Sequence, residues 1–241
     1  MKISKEFILI IFLSLLPLLS IFTTIDLPHT HDGAVHLSRM AAYFKTLADG
    51  NILPRWAGDL NYGYGLPLFN FIYHTPYLVS SIFLALGISL VATFKLVISI
   101  SFVLAGIFMY LFAKEFFKNY KTAFLVAVFY QFAPFRLVEL LIRGSYGELY
   151  TYTFLPLVLF GLSKFFAEKR VKWLTLTAVS SMLLILSHNS ISLMFFGVIA
   201  LFILIFAPNN KARFLGFLAL GGGLLASSYY WLPALAEHRY T

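Results

Sequence analysis

The stretch Leu66–Leu90, "LPLFNFIYHTPYLVSSIFLALGISL", decides the topology of this chain, because it is long enough to cross a bilayer yet carries Pro67, Asn70, His74 and Pro76. If it crosses, the basic clusters that follow it change sides. If it does not, the chain has seven spans starting inside. Lys2/Lys5, Lys114/Lys118/Lys121, Lys164/Lys169/Arg170/Lys172 and Lys211/Arg213 then all face the cytoplasm, which accounts for 11 of the 18 basic residues. Positive residues accumulate on the cytoplasmic side of spans, so the non-crossing arrangement is preferred.

The composition demands such a question. With 60% hydrophobic and 12% charged residues, and a mean hydropathy of +0.85, the chain lies outside the range of soluble domains. It reads as an all-α, polytopic membrane helix bundle. There is no cysteine, hence no disulfide framework or thiolate metal site. The net charge of +8 fits membrane orientation. No basic run alternates with aromatic stacking positions, so nucleic acid is set aside as a partner.

The remaining spans follow from length. Phe7–Ile25 is an uncharged stretch of 19 residues without a convincing small-x-small cleavage site, and is expected to be a retained first span rather than a signal peptide. Val91–Ala113, Thr122–Phe135 and Leu149–Phe166 follow. Trp173–Ala207, at 35 residues, is too long for one crossing and is expected to fold back at "SHNS", Ser187–Ser190. Phe214–Leu232 is the last. Residues 1–241 thus form a single transmembrane domain, with residues 26–90 an external juxtamembrane segment and the N-terminus cytoplasmic in the cytoplasmic membrane.

This arrangement places all six histidines outside, with Asp26, Asp32, Asp49, Asp59, Glu139, Glu148 and Glu237, and leaves Glu6, Glu115 and Glu168 inside. Charge bias orders lysine and arginine and says little about acids or histidines, so their collection at one face points to a polar site there. Its densest part is "HTHDGAVHLSR", His29–Arg39. From Ala34 to Ala48 the apolar Leu37, Met40, Ala41, Phe44 and Leu47 recur at helical spacing while His36, Arg39 and Lys45 face elsewhere, as in an interfacial amphipathic helix with one side in lipid. Asp32 stands where that helix begins. It is a natural N-cap eased by Gly33. It is also a carboxylate one turn before His36, with Arg39 beyond, a set able to converge on one anionic substrate.

His29, His31 and Asp32 are also ligand types for a metal. The spacing matches no structural zinc site, and the HxHxDH pattern of metallo-hydrolases fails at Gly33. A hard divalent cation, magnesium or manganese, held jointly by a carboxylate and a substrate phosphate is the better metal reading. Further along, "PRWAGDLNYGYGLPLFNF", Pro54–Phe71, offers Arg55, Trp56 and Tyr64 among glycines. Aromatic faces suit sugar rings, but Trp56 is read first as an interface anchor. Arg143 and Glu148 in "RGSYGE", His188 beside Asn189, and Arg239 near the end complete the outer set. Arg143 and Arg239 are candidate phosphate ligands, or headgroup anchors.

An aspartate opening an external amphipathic helix, then "GNILPRW" and "GYGLPLFNF", then an apolar bundle, resembles membrane glycosyltransferases of the GT-C type. It most closely resembles the YfhO-like and 6-pyruvoyl-tetrahydropterin synthase-related membrane proteins, though nothing here looks like a soluble pterin enzyme. The resemblance implies an enzyme that moves a sugar from a polyprenyl-phosphate donor to an acceptor hydroxyl at the outer face, with inversion. Asp32 would be the general base and Glu148 a second acid. His36 joins them as a catalytic candidate by position alone, with Arg39, Arg55, Tyr64, Arg143, His188 and Arg239 as substrate-binding candidates. Such enzymes usually continue with further spans, so the resemblance implies a module, a fragment, or half of a split enzyme completed by a C-terminal partner chain. A non-catalytic membrane subunit or lipid-carrier binding protein would use the same groove without turnover. A solute transporter would place its charges near midplane, which the clustering at one edge opposes.

Overall fold

The computed structural model describes residues 4–240; Lys2, counted above in the first basic cluster, lies outside them. The described residues form an all-α bundle whose central helices are flanked by short helices at one end. Helix α1 (Lys5–Leu15) starts at Ser4, whose hydroxyl accepts from the Phe7 N–H at 3.2 Å, and Pro17 tightens the chain into a 3-10 turn, Pro17–Phe22. Together they make an 18-residue apolar segment.

The segment between α1 and α5 carries α2 (Gly33–Ala48), which begins one residue earlier than its apolar periodicity predicts. Its buried stripe includes His36, Met40 and Tyr43, with Leu37 and Leu47 packed partly against the same core. This corrects the expected orientation: His36 faces the bundle, not away from it. Leu66–Leu90 does not form one crossing helix. It breaks into α3 (Leu68–Phe71) and α4 (Thr75–Ala85), only 4 and 11 residues long. The His74 and Thr75 N–H groups both donate to the Leu186 carbonyl at 2.9 Å, pinning the start of α4 to the turn near residue 187.

Helix α5 (Leu90–Phe117) is the longest at 28 residues, capped by Ser89 and ended by Lys118 in a left-handed conformation. Helix α6 (Tyr120–Gln131) stops before the expected Phe135, because Pro134 restarts the chain as α7 (Pro134–Val138). The axis bends by 49° at that break. Arg136, 2% exposed, is buried at the bend with Phe102, Tyr130 and Tyr152 rings 5.0, 4.7 and 5.6 Å from its guanidinium carbon. Their faces stabilise a cation that no carboxylate meets among the described residues.

Helix α8 (Tyr146–Glu168) is the most buried span and packs along α5. Helices α9 (Val171–Ile185) and α10 (Asn189–Phe206) divide the 35-residue apolar run at the expected turn. Helix α11 (Asn210–Ala226) does not run on to Leu232: the chain bends by 64° at Ser227 into α12 (Ser228–Glu237). The spans approach closely through small residues. A Cβ on Gly161 would stand 2.6 Å from Thr177 Oγ1, and one on Gly223 2.6 Å from the Ala178 carbonyl.

Four helices are long and apolar enough to cross a membrane, or six if each bent pair counts as one span, and α9 is a shorter apolar helix. The seven-span expectation needs all of these. At the end of α8 away from Tyr146, Lys164 bridges Glu115 of α5 at 3.3 Å and Glu168 at 2.5 Å. Asp32 and its neighbours lie at the other end, beside the start of α8.

Candidate functional site

The site forms where residues 29–32 run alongside the turn that precedes α8. The His31 N–H donates to the Ile142 carbonyl at 3.0 Å and the Asp32 N–H to that of Arg143 at 2.9 Å. Glu139–Arg143 is a π-helical turn, a wide coil that recurs at functional sites. Gly144 ends it with φ +66°, a conformation costly for any residue with a Cβ. Thr30 fills the slot between two glycines: a Cβ on Gly33 would lie 2.6 Å, and one on Gly144 2.4 Å, from its Oγ1.

These contacts bring three carboxylates around one guanidinium. Arg143 Nη1 donates to Glu139 Oε1 at 2.7 Å and lies 2.8 Å from Glu148 Oε1, while Nη2 is 3.9 Å from Asp32 Oδ2. The last separation is electrostatic, not a hydrogen bond. The exposures divide the acids: the Glu139 side chain is 0% exposed, that of Glu148 8%, and that of Asp32 42%. Two acids are therefore committed to the arginine, and one faces open space. Arg143, expected as a phosphate ligand, is instead the counter-ion of an acidic cluster. The N-cap expectation for Asp32 is also corrected in part: it occupies the N-cap position, but its side chain makes no capping hydrogen bond.

His36 is drawn away from that cluster. Its Nε2 accepts the Tyr146 N–H at 3.4 Å, so Nδ1 carries the proton and donates to the Tyr77 hydroxyl at 2.9 Å. Burial, reinforced by the charges of Arg39 and Arg143, pushes its pKa down to about 3. A neutral imidazole with both nitrogens engaged positions α2 against α4 and α8; the acid–base role expected from its spacing is not the one its contacts provide. His188 borders the acids from the α9–α10 turn. It stacks on Tyr73 with centroids 5.4 Å apart, and its buried Nδ1 has no hydrogen-bond partner. Burial lowers its pKa while Glu148 opposes the shift.

The other candidates scatter. Arg39 is half-buried on α2, and its charge acts on His36 and Tyr73. Arg55 is exposed and approaches the Tyr229 carbonyl at 3.5 Å. Tyr64 is 83% exposed in the loop closed by the Ala57–Leu66 bridge. Arg239 lies over the Tyr240 ring at 4.8 Å. No ion pair or hydrogen bond among the described residues brings these last three to the acidic cluster. His29 and His31 are exposed, and among the described residues no three histidine or acidic side chains are grouped to hold a metal ion. The Asp32, His29 and His31 ligand set is therefore not assembled among the described residues.

Glu139 is the residue that sequence reasoning passed over as a partner. Its signal was present: Glu139 and Arg143 stand at i and i+4, the spacing that puts an acid and a base on one helical face. In the aromatic stack Tyr73 and Tyr77 share that spacing, whereas Tyr146 joins them from a distant segment and left no local signal.

Residues 69–240 match the family described as "6-pyruvoyl-tetrahydropterin synthase related domain; membrane protein", and the chain belongs to this family of integral membrane proteins. The match includes Glu139, Arg143, Glu148 and His188, whereas Asp32 and α2 precede it. Compared with the curated proteins, the chain has no match.

Proposed function

We propose that the protein is an inverting glycosyltransferase of the GT-C type, transferring a sugar from a polyprenyl-phosphate donor to an acceptor hydroxyl at the external face of the cytoplasmic membrane. The observation that carries this reading is the inequality of the three acids. Glu139 and Glu148 are buried against Arg143, and Asp32 alone keeps 42% of its side chain open beside them. A general base must reach the proton it takes.

In the proposed step the acceptor oxygen bonds to the anomeric carbon, its proton passes to Asp32, and the bond to the lipid phosphate breaks with its electron pair left on the phosphate. Arg39, which makes no ion pair among the described residues, supplies positive charge for that phosphate. Glu139 and Glu148 hold Arg143 in place and do not exchange protons with substrate. An apolar groove of about 480 Å³ supports a lipid-linked donor. Ile185, Leu193, Phe196, Trp231 and Leu235 line it, and it begins beside Asn189, next to His188. The groove suits a hydrocarbon tail whose head lies near the acids.

Asp32→Asn tests the assignment. Because the side chain caps nothing and stands 3.9 Å from Arg143 Nη2, beyond hydrogen-bond range, asparagine keeps its shape and removes the basic oxygen with one half-open charge. In membranes containing the cell's own lipid-linked sugars, with any partner chain co-expressed, turnover should fall at least ~100-fold at an unchanged thermal midpoint. Undiminished transfer by this variant would remove Asp32 as the base.

A further inference from the structure

A second cavity lies away from the acidic cluster, between the C-terminal end of α2 and the loop that follows. Its volume is about 400 Å³, within the range of small-molecule sites, and its lining includes Lys45, Asp49, Asn51, Arg55, Trp56 and Asp59. The walls are fixed. The Asn51 N–H donates to the Thr46 carbonyl at 3.1 Å, the Thr46 hydroxyl to the Trp56 carbonyl at 3.2 Å, and Ala57 and Leu66 exchange N–H···O bonds at 2.8 and 3.2 Å. Trp56 is held as well. Its indole lies against the backbone of Gly65, where a Cβ would stand 2.2 Å from Nε1, and φ of +73° also favours glycine. About half of the Trp56 surface, 52%, stays open.

The charges select the ligand. Lys45 holds both oxygens of Asp59, at 2.7 and 2.8 Å, and Arg55 and Asp49 add one charge of each sign. Two cations and two carboxylates leave no net charge, so the cavity has no surplus to attract a phosphate. It offers a flat aromatic face and a ring of donors and acceptors. A sugar ring meets both demands: its C–H groups carry partial positive charge that the negative face of the indole attracts, and its hydroxyls bond to carboxylate, amide and guanidinium at the rim.

We infer that this cavity binds a neutral saccharide, with Trp56 as the platform and Asp49, Asn51 and Arg55 as hydroxyl partners. That the saccharide binds does not rest on the glycosyl-transfer reading; under that reading it is a distal part of the acceptor, since α2 sets the cavity about 15–25 Å from Asp32.

The test uses the full chain with Trp173→Phe and Trp231→Phe, which leaves Trp56 as the sole tryptophan. Its fluorescence is followed while neutral hexose and N-acetylhexosamine trisaccharides are added, with glycerol phosphate as the anionic comparison. At least one neutral trisaccharide should shift the emission saturably, and glycerol phosphate should not. Asp49→Asn and Asn51→Ala, both at the exposed rim, should each weaken that binding several-fold at an unchanged thermal midpoint. By calorimetry on the otherwise native chain, Trp56→Ala should lose at least ~10-fold and Trp56→Phe less. Asp32→Asn should bind as the parent does. A response to glycerol phosphate alone, no response to any sugar, or equal binding by Trp56→Ala and both rim variants overturns the proposal. Loss of transfer in Asp32→Asn bears only on the base, so the two readings fail separately.

Discussion

Arg143 reaches back one helical turn to Glu139, donating from Nη1 at 2.7 Å to a carboxylate with no exposed surface. An acid so placed depends on its counter-ion, since a buried charge without a partner is costly by about 3–5 kcal/mol. Arg143→Ala should therefore lower the unfolding free energy by that order. Arg143→Lys, which keeps the charge but loses the planar fork, should cost less. Thermal unfolding in detergent of the two variants and the parent measures this. Were Arg143 chiefly a phosphate ligand, Arg143→Ala would leave stability within ~0.5 kcal/mol of the parent, as surface substitutions do.

The slot filled by Thr30 gives a second expectation. Gly144→Ala adds a left-handed backbone penalty of about 1–2 kcal/mol and a collision with the Thr30 hydroxyl, worth about 1–3 kcal/mol when a packed site is overfilled. Gly144→Ala/Thr30→Ala should recover part of the second cost, since the Thr30 Cβ itself stands 2.8 Å from the added one, and none of the first. A double-mutant cycle reads the coupling directly. Strict additivity would mean that Thr30 does not occupy the slot.

Two buried histidines set a pH dependence. His36 and His74 have pKa values pushed down to about 3 and 4, chiefly by burial, from 6.5 in the unfolded chain. Above 6.5 both are neutral in either state and their contribution is constant. Between 6.5 and the folded values the unfolded chain binds more protons, so stability falls as the pH falls, by up to about 1.4 kcal/mol per unit per histidine. The thermal midpoint should drop between pH 7 and pH 5, and His36→Gln should flatten that slope. An equal slope in His36→Gln would show that this imidazole is not buried neutral.

The proposed orientation is checked with single cysteines, since the chain has none of its own. Ser190→Cys, exposed beside His188, should react with an impermeant thiol reagent in intact cells. Lys169→Cys, exposed at the opposite end of α8, should react only after the membrane is opened. The reverse pattern would invert the bundle.

Much of the bundle is legible in the sequence because its signals are local. Proline and polar residues in Leu66–Leu90 break that stretch into α3 and α4, and the polar Ser187–Ser190 divides α9 from α10. The bend at Ser227 is less legible, since apolar composition continues through it, and Pro134 marks a break without saying how far the axis turns. The site is legible as a set of residues at one end, but not as a geometry. Helical spacing assigns His36 to the polar face, but Tyr77 and the Tyr146 N–H, from segments distant in sequence, satisfy both its nitrogens and allow it to turn inward. Arg143 looks available for phosphate until Glu139 and Glu148 are seen to share it. Composition cannot say which acid an arginine will choose.

The bond from the Tyr146 N–H to His36 joins residues 110 positions apart. It has a consequence for the order of events at the ribosome. While the chain emerges, His36 lacks one of its two ring partners until the first turn of α8 has been made, and Asp32 lacks Arg143 for nearly as long. Helix α2 packs on α4 and α5, so it seats once these are made, but its first turn stays unlatched until α8 arrives. A nascent chain halted before residue 146 should leave residues 29–36 more open to protease than one halted after α8.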